Sequence, residues 1–242
     1  MTKAYTILGL FTPDAPTHEL TSIQKATGLP FSTCSRIVHS LVAGGLLAPS
    51  PSGFRVGGAI LRLARAAVEG IEPVDLIAPF VAELRDITGE TTGFFVAEGA
   101  NRVCVYVAEA THSLMRRLSI GHVLPLYVGS PGRVILAFSE EARRAVESVP
   151  RPTFTGSTKT DWADIERALT RVAYDGVAVS DGEWETGLSG VAAPVFSADG
   201  TLVGAIAVSA PTSRVNGQDL DRLCDTVRAA ARQASLRLGY TG

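Results

Sequence analysis

Five polar residues between Ser32 and His39 carry the clearest chemistry in this 242-residue chain. Ser32, Thr33, Ser35, Arg36 and His39 fall opposite Cys34, Ile37, Val38 and Leu41 when the segment is wound as a helix. One flank is then hydrophilic and the other apolar. A flank of hydroxyls, a guanidinium and an imidazole can enter a major groove and meet base edges or phosphates. Arg36 carries the fork that matches guanine O6 and N7. An arginine here can equally hold a phosphate or an internal carboxylate, and that reading is favoured. Lys25 and Arg55 suit contacts to the sugar-phosphate backbone. Ser32 can also serve as a plain helix cap, and Phe31 can touch a thymine methyl or simply pack. The expected partner is double-stranded DNA.

Catalytic chemistry finds less support. His18, His39, His112 and His122 have no metal-ligand spacing, and Cys34, Cys104 and Cys224 include no C-x-x-C pair. Neither a metal nor a cofactor is expected. Gly187-Leu188-Ser189-Gly190 has the wrong spacing for a nucleophile elbow, and no Walker loop occurs. Glu140-Glu141 and the pair Asp219 and Asp221 fall at helix starts, where the macrodipole accounts for them. Cys104, alternating with Val103 and Val105, reads as an inert strand thiol.

The elements that must position the flank are legible on either side of it. Leu20, Ile23 and Ala26 give a helix over Leu20–Thr27. Thr27-Gly28-Leu29 breaks it, glycine supplying the positive φ of a tight inter-helix turn. Pro30 suits the first turn of the next helix, Phe31–Gly44. Leu46-Leu47-Ala48 and Phe54-Arg55-Val56 flank turn residues and form a hairpin. Lys3–Phe11 is a further short helix. Together these make a winged helix-turn-helix. A connecting helix, Ala59–Gly70, is apolar on more than one stripe, so it needs two surfaces to bury against. A partner subunit and the remainder of the same chain are equal candidates for the second.

From Val74 the pattern changes. A helix over Val74–Thr88 precedes strands Thr91–Ala97, Arg102–Ala108 and Met115–Ile120. Gly129-Ser130-Pro131-Gly132 opens a helix Arg133–Phe138, followed by Glu140–Val149 and Trp162–Ala173. Strands Gly176–Ser180, Leu188–Phe196 and Leu202–Ala210 and a helix Gly217–Leu238 complete an α+β body. The expected divisions are 1–57, a DNA-binding winged helix-turn-helix; 58–73, a linker helix; and 74–242, an effector-binding domain.

Composition is compatible with this. The chain is 46% hydrophobic and 19% charged, and no run approaches the roughly 18 apolar residues of a membrane helix. No secretory segment opens the sequence, so a cytoplasmic setting is expected. The net charge of −2 hides an asymmetry: residues 1–70 carry +3 and the remainder −5. So small an excess binds DNA weakly alone, and dimerisation would double it.

Three stretches resemble the IclR family of bacterial transcription regulators. Thr27-Gly28-Leu29-Pro30, Ser32-Thr33, Arg36, Leu41 and Gly45-Leu46 are similar to its winged helix. Gly121, Leu124-Pro125-Leu126, Gly129-Ser130 and Gly132 resemble the first signature of its effector domain. Tyr174-Asp175-Gly176, Ser180, Glu183, Gly187-Leu188, Val191–Phe196, Ser209, Pro211 and Arg214 resemble the second. The resemblance covers essentially the whole chain, in family order. It implies a GAF-like antiparallel sheet flanked by helices, a small-molecule effector, homodimers or dimers of dimers, and pseudo-palindromic operators. It implies a regulator and not an enzyme. An enzyme acting on a small metabolite, with the winged helix as a protein interaction module, is the alternative, and the missing nucleophile–base pair argues against it.

Carried over residue by residue, the family pocket falls on Ser180, Gly190, Ala207 and Ser209. Only Ser209 keeps a clear polar group, which weighs against a glyoxylate-like or pyruvate-like ligand. A larger or less polar organic acid, aromatic or amino-acid-like, is the expectation. Gly129 and Ser130, at a helix N-terminus, can grip a carboxylate. Glu183 matches a family acid that can be structural. Leu126, Tyr127 and Val191 can line the walls, although apolar residues at such positions are more often core.

Overall fold

Residues 2–12, 14–69, 73–110, 118–215 and 217–242 are described by the computed structural model. The chain divides into two units, 1–71 and 72–242.

In the first unit, helices α1 (Thr2–Leu8), α2 (Leu20–Thr27) and α3 (Phe31–Ala43) turn their apolar stripes onto one another. Ile7, Ile23, Cys34, Val38, Leu41 and Leu47 meet as its core. Strands β1 (Thr17–His18), β2 (Leu47–Ser50) and β3 (Gly53–Val56) form a small antiparallel sheet with β3 central. Helix α4 (Gly58–Glu69) follows, with Leu61 and Leu63 exposed. The first helix stops at Leu8, short of the expected Phe11, because the chain turns at Gly9-Leu10.

The second unit is α+β. Its elements are α5 (Pro73–Thr88), β4 (Thr91–Glu98), β5 (Asn101–Ala108), β6 (Val123–Pro125), α6 (Gly129–Phe138), α7 (Glu140–Glu147), α8 (Trp162–Asp175), β7 (Ala178–Asp181), β8 (Leu188–Phe196), β9 (Leu202–Pro211) and α9 (Gly217–Arg237). The six strands form one antiparallel sheet in the order β6-β5-β4-β9-β8-β7. Helix α6 packs on β7, β8 and β9 together with α8, while α5 and α9 pack on each other and against β4 and β8. Strand β8 shows that both sheet faces are covered. Ala192 joins the cluster containing α6 and α8, and its neighbours Val191 and Ala193, which point the other way, are equally buried.

Two expectations change. The third strand is Val123–Pro125, not Met115–Ile120: Val103 pairs with Val123, and Leu118–Ile120 is not strand. Leu118 instead packs against the main core; Met115–Arg117 lie outside the described residues. The helix expected to start at Arg133 starts at Gly129. Pro131 is accommodated because first-turn N–H groups have no partner within the helix. Smaller shifts at the ends of α7, α8 and β7 are within a turn or so of helix or strand.

Among the described residues no helix is long and apolar enough to cross a membrane.

Candidate functional site

Two surfaces concentrate polar side chains, one in each unit.

In the first unit, Gly28 ends α2 in the left-handed conformation, φ 66°, and its N–H bonds to the Gln24 carbonyl. The chain re-enters helix at once. Pro30 lies just before α3 and its carbonyl accepts from Thr33 and Cys34. Ser32 is therefore not the cap; it lies inside the helix and is exposed. Arg36 and His39 are exposed on the same side, and Thr33 and Ser35 are half-buried beside them. Arg36 makes no ion pair and no side-chain hydrogen bond among the described residues. His39 donates from Nδ1 to the Ser35 carbonyl at 2.8 Å, leaving Nε2 as an outward acceptor when the ring is neutral. Phe31 is 57% exposed, so it is not core. Lys25 is exposed, and Arg55 is exposed on β3 with Nη1 bonded to the Val56 carbonyl.

In the second unit, register builds a polar row that sequence spacing hides. Ser180 on β7 stands opposite Gly190 on β8, Gly190 opposite Ser209 on β9, and Ser209 opposite Thr91 on β4. Direct cross-strand partners point to one face, so three hydroxyls and a glycine share it. Above the row sits the N-terminus of α6. A side chain at Gly190 would bring its Cβ within 2.8 Å of Ser130 Oγ, so glycine is what admits the helix end. Gly129 adopts φ +78° to turn the chain into α6. The row, the helix end and the loop before β8 enclose a cavity of about 90 Å³.

The buried helix end must have its N–H groups satisfied. The Gly129 N–H donates to Glu183 Oε2 at 3.0 Å and the Ser130 N–H to Ser180 Oγ at 3.0 Å. Glu183 also pairs with Arg133, whose Nη1 donates to the Val179 carbonyl at 2.6 Å. Burial pulls the Arg133 pKa down to about 10. The amides expected to grip a ligand carboxylate are thus already bonded to groups of the chain itself.

Gly129, Ser130, Ser180, Glu183, Gly190 and Ser209 all line the cavity. Leu126, Tyr127, Val191 and Ala207 do not; they are buried in the core. Val191 faces away because its neighbour Gly190 faces in. Ala207 lies two residues deeper than Ser209 and packs in the cluster under α6. The Tyr127 hydroxyl is committed to the Pro152 carbonyl at 2.6 Å. Sequence spacing alone missed Arg102, Thr91, Phe95 and Trp184, which also line the cavity. The signal for Arg102 is its parity with buried Cys104 on β5: a charged residue at an inward-facing strand position. Cys104 itself is pushed up to about 12 by burial, the state of an unreactive thiol.

Residues 66–236 match the family described as the C-terminal region of bacterial transcriptional regulator IclR, and residues 1–51 match the IclR helix-turn-helix domain. The chain belongs to the IclR family. Among curated relatives of this IclR-type transcription regulator is XynR of Escherichia coli, an HTH-type transcriptional regulator, 27% identical over 98% of this chain and 96% of that protein. A transcriptional-regulator structure from Rhodococcus sp. RHA1 superposes with a TM-score of 0.84 at 26% identity, covering 98% of this chain and 96% of the other. An IclR homologue from Microbacterium hydrocarbonoxydans, solved in complex with 4-hydroxybenzoate, shares the fold at TM-score 0.84 and 23% identity, covering 98% and 97%.

Proposed function

We propose that this IclR-type regulator docks α3 in the major groove of an operator and that a small-molecule effector in the body cavity modulates that binding. The observation that supports the first part most is Arg36: an exposed guanidinium without a partner among the described residues, aligned with Ser32 and the outward Nε2 of His39. Thr33 and Ser35 flank them, and Lys25 and Arg55 hold phosphates on either side. The domains follow as 1–57 for DNA, 58–73 as connector and 74–242 for the effector.

The assembly is a homodimer or a dimer of dimers, reading a pseudo-palindromic site in the cytoplasm. Exposed Leu61 and Leu63 on α4 supply apolar surface for the second subunit. The effector is an organic acid or an amino-acid-like metabolite, taken into the cavity that Gly129, Ser130, Ser180, Glu183, Gly190 and Ser209 line. The Microbacterium homologue's complex with 4-hydroxybenzoate supports an organic molecule in this fold. A binding role for the cavity is the reading that fits a family of transcriptional regulators.

A gel shift of the full chain against the promoter beside its own gene, repeated across salt concentrations, tests the reading. Specific retention that weakens as salt rises is expected, because phosphate contacts release counterions. Absence of retention at every salt concentration would refute it.

A further inference from the structure

The cavity wall holds two buried arginines with opposite circumstances. Arg133 is neutralised by Glu183. Arg102, 4% exposed, forms no ion pair among the described residues. Residues 111–117, outside the described set in the same unit, contain no Asp or Glu. Glu185 lines the same cavity but is half-buried and not paired with Arg102. Arg102 is anchored from one side only. Its Nη1 donates to the Pro125 carbonyl at 2.8 Å and the Val128 carbonyl at 2.5 Å. Among the described residues Nε is buried without a partner, and no hydrogen bond is made by Nη2. Nε is sealed within the wall, so Nη2, beside Gly129 at the cavity, is the guanidinium nitrogen placed to donate a charge-assisted hydrogen bond to an anion.

The surroundings say what that nitrogen lacks. A Cβ at residue 129 would lie 3.3 Å from Arg102 Nη2, so glycine leaves that side of the guanidinium open. Phe95 lies beside Arg102, 5.7 Å from ring centre to guanidinium carbon. Trp184, Leu118, Leu124, Leu188 and Pro211 supply further apolar wall. Ser130 Oγ, fully buried, is also without a partner. A buried cation without a counter-ion is costly, and burial already draws Arg102 down to about 9. The helix N-terminus offers no competing anion hole, since Glu183 fills it. Glu183 in turn is spent on Arg133 and the Gly129 amide, and Glu185, the other carboxylate of the cavity wall, is only half-buried, so among the described residues of the wall no fully buried carboxylate is free to receive an ammonium group.

We propose that Arg102 is the anion-binding residue of the cavity, taking the carboxylate of a monocarboxylic acid with an apolar, ring-sized body and no ammonium group. This rests on reading the cavity as the effector site and selects, between organic acids and amino acids, the former.

Thermal unfolding of the full chain with millimolar benzoate, phenylacetate or 3-phenylpropionate tests it, each against its amide, and with phenylalanine and inorganic phosphate as further probes. At least one carboxylate raises Tm, while its amide, phenylalanine and phosphate do not. In Arg102→Met that shift disappears, and in Arg102→Lys it is reduced but present. The wild-type acid–amide pairs decide the matter even if Arg102→Met does not fold. An amide matching its acid, phosphate or phenylalanine matching the best carboxylate, a folded Arg102→Met that keeps the shift, or no carboxylate shifting Tm would each overturn the proposal. Operator retention is read separately. Carboxylates that bind through Arg102 yet leave retention unchanged would defeat the effector reading and not the assignment of Arg102.

Discussion

The two units each present an unpaired arginine, at opposite extremes of solvation. Arg36 lies in water on α3, and its charge is screened and inexpensive until a phosphate or base arrives. Arg102 is buried on β5 beside the end of α6, where its charge has little solvent to fall back on. An exposed cation gives a surface that attracts many anions and discriminates by shape and register. A buried one gives a site that accepts few ligands, because anything entering must replace water and satisfy the fixed nitrogen. Arg133 is the control between them: equally buried, but satisfied by Glu183 from within the chain.

The largest effect follows from that control. Glu183→Ala leaves Arg133 buried without its partner and strips the Gly129 amide of its acceptor. The body should lose about 3–5 kcal/mol, the usual consequence of breaking one side of a buried pair, read from urea unfolding midpoints. A loss below about 1 kcal/mol, the range of exposed pairs, would mean the site is wetter than its burial indicates. Adding Arg133→Met to Glu183→Ala should recover part of the loss.

On the exposed side, Arg36→Ala should weaken operator affinity by about 1–3 kcal/mol while leaving the unfolding midpoint unchanged, since no internal group depends on it. A matching drop in stability would place Arg36 in the architecture of the head. The body offers the reciprocal case. Ser209→Leu places a branched side chain in the polar row between Gly190 and Thr91. It should abolish the effector response in a gel shift and leave operator binding without effector intact. A normal response would locate the effector elsewhere.

The same contrast explains what could be read in advance. The flank of α3 follows from helical periodicity, a local property, and Leu20–Thr27 emerges with its expected bounds. The cavity depends on register between strands far apart in sequence: Thr91 and Ser209 become neighbours only once β4 pairs with β9. The family resemblance carried over Ser180, Gly190, Ala207 and Ser209, of which the first, second and fourth line the cavity and Ala207 does not. Arg102 was missed because its sign is indirect: parity with Cys104 turns it inward, but its depth shows only once β5 pairs with β4 and β6. Val191 and Ala207 show the converse. Both neighbour cavity residues along the chain, yet strand alternation turns one away and α6 seals the other.

Gly190→Ala tests that sealing at smaller scale. Its Cβ would meet Ser130 Oγ at 2.8 Å and Ser180 Oγ at 3.2 Å. Either the serine rotates or α6 shifts, and destabilisation of about 1 kcal/mol, at the low end for overpacking, should appear in unfolding midpoints. A neutral or stabilising result would show that the helix end has slack and that the cavity can expand toward it.

The smallest effect uses a carboxylate of the same body at its exposed end. Asp181 accepts hydrogen bonds from Ser189 Oγ and Thr212 Oγ1, both at 2.7 Å, tying the end of β7 to β8 and to the segment after β9. Those bonds, Ser189 first and Thr212 second, hold its carboxyl below the usual carboxylate range. A folded pKa lower than the unfolded value of about 3.9 adds stability above that pH and loses it as pH falls through the folded value. The stability difference between wild type and Asp181→Asn should therefore be constant near neutrality and shrink below about pH 4, measured as Tm across an acid titration. Because Asp181 is exposed, the difference should stay far below that of Glu183→Ala. If the two were comparable, depth would not be what separates the strong polar contacts of this molecule from the weak ones, and the contrast between Arg36 and Arg102 would lose its physical basis.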